Sequence, residues 1–289
     1  SSKTEWFRRK TFDVAIVDEA TQILEPQLLG LLCARNVAGG NAIGKFILIG
    51  DHKQLPAVVL QSESQSEVCE DCLHNIGLHN LKDSLFERLY RNSATHHLSL
   101  ITNRSYDMLC RQGRMNVEVA RFPNHAFYGG LLEPVGLQHQ QGELTLAPGL
   151  ENDEFADILV RRVVFLASVP EVASQSAKIN HFEAQLVARL AAAIYRQYDG
   201  TSGFRPALTL GIITPYRSQI ALIKSEIAAL GIPCLNDILV DTVERFQGSE
   251  RDVIIYSFCV NRTYQLKFLA NLTEEGGVWI DRKLNVALT

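Results

Sequence analysis

Asp18 and Glu19 stand side by side directly after an apolar, largely β-branched run, Phe12–Val17. Two carboxylates at the end of a buried strand suit a magnesium–nucleotide site, because Mg²⁺ takes one or two carboxylates together with waters and phosphate oxygens. The neighbouring carboxylate can then orient an attacking water. Taken alone, the pair has an equally good structural explanation, since acidic residues often open a helix by complementing its dipole. A second block, Gly50-Asp51-His52-Lys53-Gln54-Leu55-Pro56, follows the next apolar run. Glycine permits a tight turn there, and the Gln54 amide offers both a donor and an acceptor, suited to sensing a terminal phosphate or the attacking water. A third set, Cys69, Cys72, His74 and His79, offers four N/S ligands for a tetrahedral zinc site. Its irregular spacing and acidic surroundings, with no Lys or Arg from 61 to 79, fit an exposed polar insertion better.

The elements that must position these groups read as strand, helix, strand. Phe12–Val17 and Phe46–Ile49 have the composition of parallel strands buried on both faces. Pro26 suits the first turn of a helix whose apolar face is Leu28, Leu29, Leu31 and Leu32. Residues 61–80 read as a loop insertion, 84–89 as helical, and 91–97, including His96 and His97, as a linker without apolar periodicity. Beyond it the alternation resumes. Strands are expected at Val163–Ala167, Leu208–Ile213, Ile238–Val243 and Val253–Phe258. A helix is expected over His181–Tyr195 with Asn180 as N-cap, and another through Ile220, Ile223, Ile227 and Leu230. Residues 142–154 read as a surface excursion. The expected architecture is α/β, with residues 1–95 forming the later part of one domain and 96–289 a complete second one.

The 289 residues carry 28 Lys+Arg and 32 Asp+Glu, a net charge of −4. This argues against a strongly basic nucleic-acid-binding domain but leaves room for a local groove. From Arg205 to Thr289 the sequence holds nine basic and nine acidic residues, so no gross positive face is expected there. No apolar run approaches the length of a membrane span. The six cysteines are scattered and read as reduced thiols of an intracellular protein, cytoplasmic or nuclear/nucleoid.

Asp18–Gln22 and Gly50–Pro56 together resemble motifs II and III of superfamily 1 helicases. Later blocks extend the likeness in order. Leu109–Met115, with Phe122-Pro123-Asn124 and Phe127–Gly130, resembles the Gln-Tyr-Arg-Met segment that opens the second RecA-like domain. Gly211–Gln219, containing Thr214-Pro215-Tyr216, is similar to the segment after that domain's central strand. Asp241–Asp252 resembles motif V, and Arg282–Thr289 the front of motif VI. The likeness covers Phe12 to Thr289 and is strongest to the 5′-to-3′ branch that contains the nonsense-mediated-decay RNA helicase, senataxin and the Okazaki-fragment nuclease–helicase.

The resemblance implies RecA-like, P-loop NTPase-type doubly wound sheets and a motor that uses ATP and Mg²⁺ to move along single-stranded DNA or RNA. Asp18 would hold Mg²⁺ and Glu19 would position the hydrolytic water. Gln54 would link the γ-phosphate to domain closure, and Arg114 would act as an arginine finger. Gly248 and Glu250 would approach the nucleotide, while Thr214, Tyr216 and Thr242 would lie along the nucleic-acid track. Three departures stand out. No Gly-x-x-x-x-Gly-Lys-Ser/Thr occurs in the chain, the sequence stops inside motif VI, and Gly113 replaces an adenine-stacking tyrosine. Asn116-Val117 likewise replaces the common His-Pro. The chain is therefore expected to be a fragment of a helicase, inactive by itself. The alternative is a RecA-like module that binds nucleic acid or protein and has lost ATPase chemistry.

Overall fold

The computed structural model describes residues 9–95, 106–172 and 176–289. It divides into two compact units, Ser1–Met108 and Leu109–Thr289, which are taken in turn. In the first, β1 (Phe12–Val17) pairs in parallel with β2 (Ile43–Leu48), in a register running from Phe12 opposite Ile43 to Val17 opposite Leu48. Between them lies α1 (Glu25–Leu32), with Pro26 in its first turn. A parallel pair needs such a crossover, because its strands run the same way. Val17, Ala20, Leu28 and Leu85 form the buried centre of the unit, and Leu31, Leu32, Leu48 and Phe86 pack around it. α2 (Leu85–Thr95) closes this core and carries the helix through residues 91–95, which the sequence reading gave to a linker. His96 and His97 lie outside the described residues.

The strands of this unit are buried on one side rather than on both. Phe12, Val14 and Ile16 are exposed, as are Ile47 and Ile49. Among the described residues the sheet has two strands, and the packing of α1 and α2 falls on the side of Val17 and Leu48. Residues 61–80 form an insertion with two short helices, Glu63–Ser66 and Asp71–His74.

The second unit is built on a three-stranded parallel sheet in the order β4–β3–β5, where β3 is Leu210–Ile213, β4 Leu239–Asp241 and β5 Val253–Tyr256. β3 is central and wholly buried, as its Leu-Gly-Ile-Ile sequence demands. α3 (Val117–Phe127) precedes the sheet in the chain and starts at Asn116, whose side chain accepts the Glu118 amide. α4 (His181–Asp199) and α5 (Arg217–Ala229) pack the sheet through Ala184, Val187, Ala191, Ile194, Ile223 and Ile227. Asn180 caps α4, its side chain accepting the Glu183 N–H at 2.7 Å. β6 (Leu272–Glu275) and β7 (Val278–Asp281) form an antiparallel hairpin that leads into α6 (Arg282–Leu288).

Two expectations fail in this unit. Val163–Ala167 forms no strand, because the run finds no neighbour to pair with among the described residues and leaves Val163 and Phe165 exposed. The stretch 142–154 is no mere surface excursion, since Ala147 and Leu150 enter the core beside α4. The Gln197 side chain fixes it, accepting the Ala147 N–H at 2.9 Å and donating to the Thr145 carbonyl at 2.7 Å.

Candidate functional site

β1 ends where its apolar run ends, and the chain turns at once. Glu19 takes a left-handed conformation (φ 51°, ψ 38°), unusual for a residue with a side chain. Three bonds hold it. The Glu19 N–H donates to Asp18 Oδ1 at 3.0 Å, the Gln22 amide donates to Glu19 Oε2 at 2.8 Å, and the Ala20 N–H donates to the Ile49 carbonyl at 2.7 Å. The last bond ties the acidic turn to the loop after β2. There Gly50 presses on Thr21, and a Cβ at Gly50 would lie 3.0 Å from both the Thr21 backbone nitrogen and its methyl. The Thr21 hydroxyl is buried with no hydrogen-bond partner. Asp51 shapes the rest of the loop by accepting the Lys53 N–H at its side chain and the Gln54 N–H at its carbonyl. His52 is packed, its ring stacked on Tyr90 at 4.2 Å.

One structural pair behind this site escaped the sequence reading. Glu25, in the first turn of α1, and Arg88, on α2, form a buried two-pronged ion pair with both contacts at 2.6 Å. Arg88 also donates to the Ile76 carbonyl at 2.7 Å. The pair fixes the helix that follows the acidic turn. Its partners are 63 residues apart, so no local pattern announces it.

In the second unit Arg114 and Glu250 meet, with Nε donating to Oε2 at 3.0 Å. They are 136 positions apart in the chain. Arg114 also donates to the Thr289 carbonyl at 3.3 Å. Its turn is braced by Gln112, whose side chain accepts the Met115 N–H and donates to the Met115 carbonyl. The ion pair is more than half exposed, so both groups remain free to exchange partners with a ligand. Gly248, two residues before Glu250, has φ +76°, a backbone state that favours glycine.

Thr214 and Thr242 flank Asp241 at the carboxyl ends of β3 and β4. Thr214 N–H donates to the Asp241 carbonyl at 3.1 Å, and Thr242 N–H donates to the Asp241 carboxylate at 2.8 Å. The Thr214 hydroxyl is fully buried and unpartnered. Beside them opens a cleft of about 620 Å³, walled by Tyr216, Tyr256, Tyr264 and Phe268 and bordered by Lys178, Lys283 and Glu244. The Tyr216 hydroxyl accepts a bond from Gln265 at 3.1 Å. Gln265 is 1% exposed and also donates to the Ala177 and Cys259 carbonyls, a hub that no local pattern announces. Burial pushes the Tyr256 phenol up to about 12, reinforced by Asp281 and Glu244. Burial also pushes Glu244 up, but its own backbone N–H, Thr242 and Lys283 outweigh this and hold its carboxyl below the usual range.

The Cys69, Cys72, His74 and His79 set has the character of the exposed polar insertion that the sequence favours over a zinc site. Cys69 and Cys72 are exposed thiols, and His74 spends its Nε2 proton on the Val68 carbonyl at 2.5 Å while its ring lies 4.9 Å from that of His79. Among the described residues no group of three or more His, Cys, Asp or Glu is arranged to hold a metal ion. None of the six cysteines, all among the described residues, forms a disulfide.

Parallel α/β sheets with crossover helices, and acidic and glycine-bearing turns at the strand ends, define a RecA-like, P-loop NTPase-type protein. Family models described as AAA domain match residues 81–289 and 1–62. The chain belongs to that family, within superfamily 1 of the helicases. It is 30% identical to the DNA replication ATP-dependent helicase/nuclease DNA2 of Bos taurus, over 98% of this chain and 24% of that protein. It is 27% identical to the DNA polymerase alpha-associated DNA helicase A of Saccharomyces cerevisiae, over 96% of this chain and 37% of the relative. An uncharacterized ATP-dependent helicase of Methanocaldococcus jannaschii is 29% identical over 96% of this chain and 34% of its own length. The chain thus spans well under half the length of these curated relatives. No helix among the described residues is long and apolar enough to cross a membrane.

Proposed function

We propose that this chain is part of an ATP-dependent DNA helicase, coupling ATP hydrolysis to 5′-to-3′ movement along a single strand in a reducing, intracellular compartment. Residues 1–95 are read as the later part of the first RecA-like domain and 96–289 as the second. The observation that supports this best is the meeting of Arg114 with Glu250, from two motifs far apart in the sequence and both expected at the nucleotide. An arginine held by an exposed carboxylate is oriented in advance and can pass to the γ-phosphate, where it neutralises developing charge. Gly248 lets the backbone beside Glu250 approach the nucleotide without a side chain in the way.

On the first unit the donor set suits a hard cation, since Asp18 and Glu19 bring two carboxylates to one turn. Mg²⁺, when bound, supplies charge neutralisation for the phosphate oxygens. Asp18 is its ligand in this reading. Glu19, held left-handed by Asp18 and Gln22, orients the hydrolytic water, and Gln54 reads the γ-phosphate from the loop after β2. Thr242 contacts the strand through its hydroxyl to phosphate and Tyr216 through an aromatic face to a base, whereas Thr214, expected on the same track, is wholly buried with its N–H on the Asp241 carbonyl and makes no such contact. The named activities of the helicase relatives support the reading, and their names favour DNA.

The test is ATP hydrolysis by the full-length parent protein, with and without single-stranded DNA. Stimulation by the strand, abolished by Glu19→Gln, is expected. Unchanged turnover in Glu19→Gln would defeat the assignment.

A further inference from the structure

Arg114 stands at the apex of a tight turn, and one buried side chain from further along the chain holds both ends of that turn. Gln140 lies in a short helix, Gln138–Gln141, and is 0% exposed. Its amide nitrogen donates to the Gln112 carbonyl at 2.8 Å and to the Met115 carbonyl at 3.3 Å. Its amide oxygen accepts the Gly136 N–H at 3.0 Å and the Leu137 N–H at 3.1 Å. A glutamine amide has two protons to give and two lone pairs to offer, so all four are in use. The two donated bonds land on either side of Gly113-Arg114 and close the loop between them.

The rest of the same segment grips the turn as well. Glu133–Pro134 pairs in parallel with Arg111–Gln112, and the Val135 N–H donates to the Gln112 carbonyl at 3.1 Å. His139 Nε2 donates to the Gly113 carbonyl at 2.8 Å, while the Asn116 amide donates back to the His139 carbonyl at 3.2 Å. The backbone carbonyls of Gln112, Gly113 and Met115 are therefore all held from the 133–140 side. Above this fixed base the Arg114 side chain is 52% exposed. Its contacts with Glu250 and the Thr289 carbonyl lie in water, where such bonds exchange readily. What sets the origin of the side chain is the clamped backbone beneath it.

We propose that Gln140 and His139 are positioning residues for Arg114, fixing the turn so that the guanidinium meets the γ-phosphate in one geometry. The proposal rests on the arginine-finger reading above and adds to it the parts that aim the finger. Neither residue touches the nucleotide, and both act through the backbone of residues 112–115. A charge aimed at a transition state must be held closely, since a misplacement of about 1 Å costs about a hundredfold in rate. Buried side chains whose own hydrogen bonds are complete are the usual means of holding it.

The test is a double-variant cycle on ATP hydrolysis by the full-length parent protein with an oligothymidylate, read in single turnovers so that slow rates are measured. Gln140→Met keeps the buried bulk and removes all four bonds. His139→Ala removes the exposed tie to Gly113 and leaves the Asn116 bond, which goes to the backbone. Gln140→Met should lower kcat about a hundredfold and His139→Ala about tenfold, with the KM for ATP within about twofold. In an Arg114→Ala background both losses should vanish, because residues that act as a unit are not additive. Circular dichroism checks each fold, and His139→Ala decides alone if Gln140→Met does not fold. Losses of equal size with and without Arg114 mean a merely structural role and overturn the proposal. So does an unchanged kcat, or a raised KM at constant kcat. An Arg114→Ala protein with full kcat overturns the arginine-finger reading itself, and the positioning role with it.

Discussion

Removing the cation of the Glu25–Arg88 pair tests how the acidic turn is held. The two side chains are 10–11% exposed and share two contacts at 2.6 Å. Arg88→Met leaves the Glu25 carboxylate buried without its counter-ion. It leaves the Ile76 carbonyl satisfied, because the Asn92 amide also donates to it at 2.9 Å. The cost therefore falls on Glu25, and breaking a buried pair from one side costs about 3–5 kcal/mol. A unit of this size has a total stability of about 5–15 kcal/mol. With a urea slope of about 1 kcal/mol per M, the loss moves its midpoint by several molar. The assay is urea titration with hydrogen exchange read on β1 and β2, so that the first unit is followed by itself. The paired variant Glu25→Met with Arg88→Met should recover most of the loss, because two apolar side chains replace a buried ion pair at little cost. A single-variant cost below about 1 kcal/mol, or a double variant as damaged as the single one, would refute the reasoning.

Asn180→Ala should destabilise the second unit by about 2–4 kcal/mol in urea unfolding, through the lost cap and the orphaning of buried partners. The Asn180 amide donates to the Val169 carbonyl and to Asn261, each at 2.9 Å. Cys259 is wholly buried, and burial, aided by Glu183 and Glu171, pushes its thiol up to about 12. Buried and held in its neutral form, it should react last, so iodoacetamide should modify exposed Cys33, Cys69 and Cys72 first. Peptide mass spectrometry should find Cys259 unlabelled until denaturant is added. Burial pushes Asp153 up, but the Phe155 N–H and Arg196 outweigh it and hold the carboxyl below its ordinary 3.8. Its stabilisation is present above that value and lost as pH falls through the folded-state pKa. Arg196→Met should therefore cost stability at pH 7, and the gap from the unaltered chain should close in acid below pH 3.8.

What the sequence made legible was set by local chemistry. β1 runs from Phe12 to Val17 as its apolar run does, and α4 starts at Asn180 because an asparagine there satisfies a free helix N–H. Val163–Ala167 has strand composition without being a strand, because pairing needs a neighbour and a neighbour is not a local property. The same holds for the site. Asp18, Glu19 and Gln22 lie within one turn and interact as close neighbours must. Arg114 and Glu250 were placed together by the order of motifs rather than by anything in their own surroundings. Gln265 and the Glu25–Arg88 pair were invisible. Each draws its role from partners brought close only by the completed fold.

The bare side of the β1–β2 sheet has a consequence for how this chain behaves in a tube. Phe12, Val14, Ile16, Ile47 and Ile49 lie open to water on strands of a kind that folded proteins ordinarily cover on both sides. A net charge of −4 offers little mutual repulsion between molecules. Attraction between such surfaces strengthens as sulfate or phosphate is added. The 289-residue chain should therefore self-associate more as those salts rise, bind a hydrophobic dye while still folded, and keep best in dilute, low-salt buffer.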